Sequence, residues 1–281
     1  MMNEEKEIEA VAESSVQLEM QPQPITQQPG GQQQLVAIPG INWMPTPQGI
    51  ENCPAGLEYL SMIDQLLVHQ QVEALEALTG VESENRYMVA NTIGQQVYYA
   101  KEISGWCSRQ CCGSNREFDM KIYDNFQREV IHLYRPFKCH CCFFPCCCLQ
   151  TLEVSSPPGV VIGRIQEECG FFRNSFRIED AEGNTVLRMT RPMCRCASCR
   201  CCCDIAFPVY KEGEDEKVGQ IKKQWSGAAK EALTDADNFS VSFPMDLEVR
   251  MKAVMLGACF LIDFMYFESS PTKAKAKKVS D

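Results

Sequence analysis

Apolar and polar residues alternate with a period of two over most of the chain, in short runs separated by turn residues. That alternation marks half-buried strands. The runs are Gln96–Lys101, Phe118–Tyr123, Glu129–Tyr134, Leu149–Val154, Val160–Ile165, Ser175–Ile178, Val186–Thr190 and Val218–Lys222. Asp124-Asn125 and Ala181-Glu182-Gly183-Asn184 supply side chains and a glycine suited to tight turns. Upstream, the stretch from Leu57 to Leu67 reads instead as a short helical opening. The recurrence of strand, turn, strand predicts a mainly β protein built on a largely antiparallel sheet or barrel.

The pattern repeats. A shift of 56 residues without a gap pairs Ile122 with Ile178, Asp124 with Asp180, and Val130 with Val186. It also pairs Arg135-Pro136 with Arg191-Pro192, Cys146-Cys147 with Cys202-Cys203, Gly163 with Gly219, and Ile165 with Ile221. Each copy is a hairpin, a cysteine cluster and a further strand pair. A weaker third copy precedes them, because the turn near Asn91 is also followed by cysteines, at Cys107, Cys111 and Cys112. Repetition of one supersecondary unit implies units that close against each other, here as barrel halves with their cysteine clusters in equivalent loops.

Near the C-terminus the period changes. Phe239, Val241 and Phe243 alternate with Ser240 and Ser242 as in a strand, Pro244 stops it, and Asp246 is placed to cap a following helix. That helix carries Ala253, Leu256, Phe260, Leu261 and Phe267 with no polar stripe, and Asp263 is its one interruption from Ala253 onward. A helix apolar on every side is buried, in lipid or in protein. At 1.5 Å per residue, the stretch from Ala253 to Phe267 spans roughly 22 Å, short of the roughly 30 Å hydrocarbon layer. Asp263 would cost about 2.5–3.5 kcal/mol there. Lys273, Lys275, Lys277 and Lys278 follow the helix, while Arg250 and Lys252 stand just before it. Membrane segment and barrel core both remain open on the residues alone.

Composition adds boundaries. Residues 1–50 open with Glu-rich sequence and continue into Pro, Gly and Gln, too little apolar surface to offset ordering entropy, and read as a disordered tail. The globular region runs over residues 51–268, with the apolar helix at 246–268, and a Lys-rich tail covers 269–281. A formal net charge of −10 argues against general nucleic-acid binding. Nothing at the N-terminus resembles a secretory leader, which predicts an intracellular chain with reduced thiols. The 18 cysteines therefore need an explanation other than disulfides.

Most of them fall in two clusters, Cys139 to Cys148 (CHCCFFPCCC) and Cys194 to Cys203 (CRCASCRCCC). Cys139-x-x-Cys142 and Cys196-x-x-Cys199 have the spacing of zinc-ligand pairs. Cysteines interleaved with Phe143, Phe144 and Pro145 beside Arg135 and Lys138 equally suit S-acylation at a membrane surface. The third reading treats them as small apolar residues, which serves Cys53, Cys169 and Cys259 well. The three histidines, His69, His132 and His140, lack any flanking motif of nucleophilic catalysis. DADNFSVSFPMD puts Asp235, Asp237 and Asp246 at positions 1, 3 and 12 of a calcium-loop pattern, with Phe239, Val241 and Phe243 at positions 5, 7 and 9. A strand through that segment holds Asp237 roughly 20 Å or more from Asp246, too far to share one ion. Gly219–Ala228 holds Lys222, Lys223 and Trp225, too few charges for a basic patch.

From Asn42-Trp43-Met44-Pro45 to Glu268 the chain resembles the phospholipid scramblases. The likeness rests on NCPAGLEYLSMIDQLLVHQQ, the PCCCLQ of the first cluster, DADNFSVSFPMD and MKAVMLGACFLIDFMYFES. It implies a closed antiparallel Tubby-like β-barrel around an apolar C-terminal helix. It also implies calcium-dependent, ATP-independent, bidirectional movement of phospholipids between leaflets, without bond chemistry. Carried over by position, the acylated run falls on Cys141, Cys142, Cys146, Cys147 and Cys148, interrupted here by Phe143 and Phe144. The calcium segment becomes Asp235–Asp246, and a nuclear-import segment, with its import receptor, falls on Gly219–Ala228. Expected partners are a phospholipid membrane and further copies of the chain. The implied location is the plasma membrane, on its cytoplasmic face or single-pass, with a nuclear pool when not acylated. A non-enzymatic alternative is an acyl-anchored interaction and signalling module. The expected ion is Ca2+, with Zn2+ the alternative at the cysteines.

Overall fold

The computed structural model describes residues 42–50, 53–71, 84–103, 116–138, 149–157, 159–169, 175–190, 204–224 and 237–267. Alternating sequence becomes wall. In Phe118–Tyr123, for example, Phe118, Met120 and Ile122 are buried and the residues between them face outward. Twelve such strands form: β1 (Gln65–Gln71), β2 (Arg86–Ala90), β3 (Gln96–Ile103), β4 (Phe118–Tyr123), β5 (Glu129–Arg135) and β6 (Thr151–Ser156), then β7 (Val160–Glu168), β8 (Ser175–Asp180), β9 (Thr185–Thr190), β10 (Ile205–Lys211), β11 (Lys217–Gln224) and β12 (Asn238–Ser242). Each pairs antiparallel with its neighbours in chain order, and β12 pairs with β1, closing the barrel.

The 56-residue repeat is structural. It maps β4, β5, β6 and β7 onto β8, β9, β10 and β11 in near-identical register. Each copy supplies four strands, a third of the wall rather than the expected half; β12, β1, β2 and β3 complete it. The repeated glycines have a common reason. A Cβ on Gly163 would lie 2.5 Å from the Glu179 carbonyl oxygen, and one on Gly219 would lie 2.3 Å from that of Ser242. Both mark places where neighbouring backbones approach too closely for a side chain.

The turns repeat too. Asn91, Asp124 and Asp180 each accept, on side-chain Oδ1, the N–H of the residue four positions on, at 2.8, 2.9 and 2.8 Å. Position four of each turn has positive φ, filled by Gly94, Gln127 and Gly183. All five hairpins carry a register shift within a few residues of the turn. Such bulges raise local twist and help a wide sheet to curl closed.

Three strands escape the sequence pattern. Leu57–Leu67 is not a helix: a 3-10 turn covers Glu58–Met62 and β1 starts at Gln65, because apolar residues of the turn run without a break into the alternation of β1. β2 is only five residues long. β10 contains Pro208, a residue that argues against a central strand; pairing with β9 begins only at Val209, which spares that edge a ladder bond at the proline.

After β12 the chain turns inward as α1 (Val249–Ile262), which continues as a π-helical turn, Asp263–Phe267. Asp246 does not cap it; the first helical residue is Val249, after Glu248, and no side chain caps the end. Met251 to Phe264 are all buried. Helix side chains meet the wall around the ring: Phe260 packs on Tyr87 of β2, Phe264 stacks on Phe118 of β4, Tyr266 meets Phe176 of β8, and Phe267 meets Phe239 of β12. Asp263 accepts the Tyr87 hydroxyl at 2.6 Å. The helix is the core of the barrel, and among the described residues no helix is long and apolar enough to cross a membrane. Burial holds the Cys259 thiol and the Tyr98 phenol well above their ordinary ionisation ranges, so both stay neutral at physiological pH.

Gly163 also faces the helix, 2.6 Å in Cβ terms from Val254 Cγ2. Gly163→Ala and Gly219→Ala are each expected to lose about 1–3 kcal/mol by overpacking against backbone that cannot yield. For a domain of this size each kcal/mol is a fall of roughly 2–4 °C in Tm by calorimetry. Gly257→Ala meets only the side-chain tips of Val154, Leu133 and Leu152 and is expected to cost less than either.

Candidate functional site

Strand parity sorts the connections. In an antiparallel ring, segments that follow odd strands join at one end and those that follow even strands at the other. The even-strand end holds the five tight turns. The odd-strand end, called the rim below, receives every long connection: residues 72–85, 104–117, 136–150, 169–174, 191–204 and 225–237. Both cysteine clusters, the earlier Cys107–Cys112 group, Trp225 and Asp235 lie on these connections. The helix runs from the turn end to the rim, where Phe267 packs on Phe207 and Phe239. The Lys-rich stretch follows from there in sequence.

The ends differ in charge. Glu212, Glu214, Asp215 and Glu216 join β10 to β11 at the turn end, where Asp64, Asp246 and Glu248 are also exposed. The rim connections instead carry acidic and basic residues in near balance, with Glu73, Glu76, Glu82 and Glu84 on the first and Arg191, Arg195 and Arg200 on the fifth.

Just below the rim, polar groups are buried in pairs. Arg116 forks onto Glu102, with Nε donating to Oε1 at 2.8 Å and Nη2 to Oε2 at 3.0 Å, while lying over the Phe264 ring. Glu102 and Arg116 are 0% and 1% exposed. Arg135, equally buried, donates Nε to Gln150 Oε1 at 2.9 Å, and the Gln150 backbone N–H donates to Glu167 Oε2 at 3.0 Å. Lys138 Nζ donates to the Leu149 carbonyl oxygen at 2.6 Å and to Thr151 Oγ1 at 2.8 Å. These contacts tie the two ends of the 139–148 segment to each other. Pairing alone keeps such charges buried, because an isolated charge there would cost several kcal/mol.

The cysteine candidates (Cys139, Cys141, Cys142, Cys146, Cys147, Cys148, Cys196 and Cys199) lie outside the described residues, as do Asp235, Trp225 and His140. Lys222 pairs with Asp204 at 2.6 Å and Lys223 with Asp237 at 2.6 Å. Lys223 also sits 4.2 Å from the centre of the Phe267 ring. Both lysines are therefore wall residues with partners.

Of the calcium-pattern positions, Phe239, Val241 and Phe243 point into the core. Asp237 stands at the rim and Asp246 past the far end of β12. The strand between them keeps their carboxylates at opposite ends of the barrel. Among the described residues no three His, Cys, Asp or Glu side chains gather as metal ligands. His69 bonds Asn238 at 2.7 Å and His132 bonds Asp119 at 2.8 Å, both as wall residues.

Sequence reasoning missed the buried layer of Glu102, Arg116, Gln150 and Glu167, because polar residues next to loops read as surface. Arg135 did leave a signal: it is one of the identities preserved in the repeat.

A family model described as Scramblase matches residues 44–269. The chain is 50% identical over 249 residues to phospholipid scramblase 1 of Mus musculus, covering 89% of this chain and 73% of that one. It is 49% identical over 249 residues to phospholipid scramblase 2 of Bos taurus, covering 89% and 82%. Phospholipid scramblase family member 5 of Homo sapiens is 40% identical over 248 residues, covering 88% and 89%. No solved structure matches.

Glu102→Ala strands a buried guanidinium and is expected to cost about 3–5 kcal/mol in chemical denaturation. Arg164→Ala, which breaks the exposed pair with Glu153, is expected to cost less than about 1 kcal/mol.

Proposed function

Since the chain belongs to the phospholipid scramblase family, we propose that it moves phospholipids in both directions between membrane leaflets. The movement is triggered by calcium, needs no ATP and makes or breaks no covalent bond. One observation shapes the mechanism: α1 packs against the wall on every side, so the barrel interior offers a lipid no passage. Lipid then moves along the outside of the domain, at a bilayer that the rim faces.

The cysteines support that orientation. The connections that carry the cysteine clusters join the barrel at the rim, and several acyl chains anchor where one would not. The acyl chains belong on Cys141, Cys142, Cys146, Cys147 and Cys148, on the cytoplasmic face of the plasma membrane. The filled interior also favours a second reading, an acyl-anchored interaction module with a nuclear pool, in which lipid does not move at all.

Purified acylated protein in liposomes with lipid labelled in one leaflet separates the two. The proposal expects label to equilibrate between leaflets after calcium is added, without ATP, and to stay put in chelator. Absent movement, or movement indifferent to calcium, contradicts it and leaves the interaction module.

A further inference from the structure

Residues 42–50 form a strap at the turn end of the barrel. The Gln96 N–H donates to the Asn42 carbonyl oxygen and the Met44 N–H to the Gln96 carbonyl oxygen, both at 2.8 Å, so Trp43 lies parallel beside the first residue of β3. Met44 packs on the core from this position. Pro45 and Pro47 then bracket Thr46. Neither proline has an N–H to give a ladder, and each biases the residue before it towards extended backbone.

A side chain ties this part of the strap down. Thr46 Oγ1 lies 2.7 Å from the Tyr59 hydroxyl oxygen, and Tyr59 donates to Asn125 Oδ1 at 2.7 Å. A phenol has one proton to give. It goes to Asn125, so the Thr46 hydroxyl is the donor to Tyr59. Tyr59 is 0% exposed and Asn125 5%, and half-buried Thr46 is the outer end of the series. Three pieces meet through it: the strap, the 3-10 turn before β1 and the β4–β5 hairpin. Burial raises the Tyr59 pKa, the Thr46 hydrogen bond lowers it, and the Asp124 and Glu58 carboxylates raise it. Both acids thus act on the hydroxyl that Thr46 touches. Arg128 acts there too, but its guanidinium is held by Asp124, Nε at 2.8 Å and Nη2 at 2.7 Å.

Threonine followed by proline is the minimal acceptor of proline-directed serine/threonine kinases, whose groove suits a residue with fixed φ and no N–H to satisfy. The chain has three such dipeptides: Thr46-Pro47, Ser156-Pro157 and Ser270-Pro271. Ser156 is 4% exposed and donates to the Val130 carbonyl oxygen at 3.3 Å inside the wall. Ser270 lies outside the described residues. Thr46 instead stands between exposed Pro45 and exposed Gln48 and Gly49.

We propose that Thr46 is a phosphorylation site and that its phosphate releases the strap from the barrel. The kinase joins the γ-phosphorus of ATP to Thr46 Oγ1, the bond from that phosphorus to the β–γ bridging oxygen breaks, the hydroxyl proton passes to the kinase's base, and ADP leaves. The product has lost the one proton with which Thr46 holds Tyr59. It also carries a charge of about −1.5 to −2 at neutral pH beside Asp124 and Glu58, where repulsion and desolvation favour the open strap. The wall stays closed, because β3 keeps its pairing with β2 and β4. Release frees residues 42–50, and with them the chain's N-terminal tail, from the turn end. None of this depends on lipid movement.

The full-length chain, treated with a purified proline-directed serine/threonine kinase, ATP and Mg2+, tests both halves. Mass spectrometry is expected to find phosphate on Thr46 and none on Ser156. Amide hydrogen exchange of the phosphorylated chain is then expected to be at least about tenfold faster at Met44 and Gln96, the two strap ladder donors, and unchanged over β5. Thr46→Val removes the hydroxyl proton without adding charge, and is expected to take no phosphate in the strap and to speed those two amides less than phosphate does. A folded chain whose Thr46 takes no phosphate overturns the site. Phosphate on Thr46 with unchanged exchange at Met44 and Gln96, or an effect that Thr46→Val reproduces in full, overturns the release.

Discussion

Eight strands close a barrel whose own side chains can fill it, and twelve enclose a lumen too wide for that. This chain closes twelve, so it needs a filler, and α1 is that filler. The requirement explains why the helix has no polar stripe, why its residues from Met251 to Phe264 are buried, and why Gly163 and Gly257 allow close approach between helix and wall. Its few polar side chains fix its depth. Lys252 is held at the turn end by three carbonyls and Asp263 at the other by the Tyr87 hydroxyl, about 16 Å apart along the axis.

A filled barrel has its chemistry at its ends. One end is acidic, with short turns locked by Asn or Asp side chains, and carries the buried Lys252 ammonium. The other receives the long connections and the helix exit over a buried layer of polar pairs, the Arg116–Glu102 ion pair among them. Ion pairs such as Arg116–Glu102 add little net stability against apolar packing, but they are costly to break. They hold the strand ends from which the variable connections leave. A rigid wall carrying loops of distinctive composition is a common way to position function.

Much of this was legible in the residues. Period-two alternation located nine of the twelve strands, and the 56-residue shift identified units whose four-strand register the fold reproduces. It could not count the units: the remaining third of the wall, β12 with β1 to β3, is split between the two ends of the chain, so no continuous stretch displays all four strands. β1 was hidden by the apolar turn before it and β10 by Pro208. The apolar helix was recognisable as buried, but its surroundings were not, because lipid and barrel interior select the same side chains. Asp263 hinted at protein, since a carboxylate there needs a partner, and Tyr87 from 176 residues earlier supplies it. The seat of the Lys252 ammonium was invisible, because its acceptors are backbone atoms and any residue type can provide them.

The central claim is that α1 is the core of the barrel and owes its order to the wall rather than to lipid. Amide hydrogen exchange over Ala253–Ile262, followed in the full-length chain with and without phospholipid vesicles, addresses it most directly. The account predicts that these amides exchange as slowly as those of β5 to β7 in lipid-free buffer, opening only with global unfolding, and that vesicles leave them unchanged. Rapid exchange of the helix while the strands stay protected, with slowing only when vesicles are present, would contradict it.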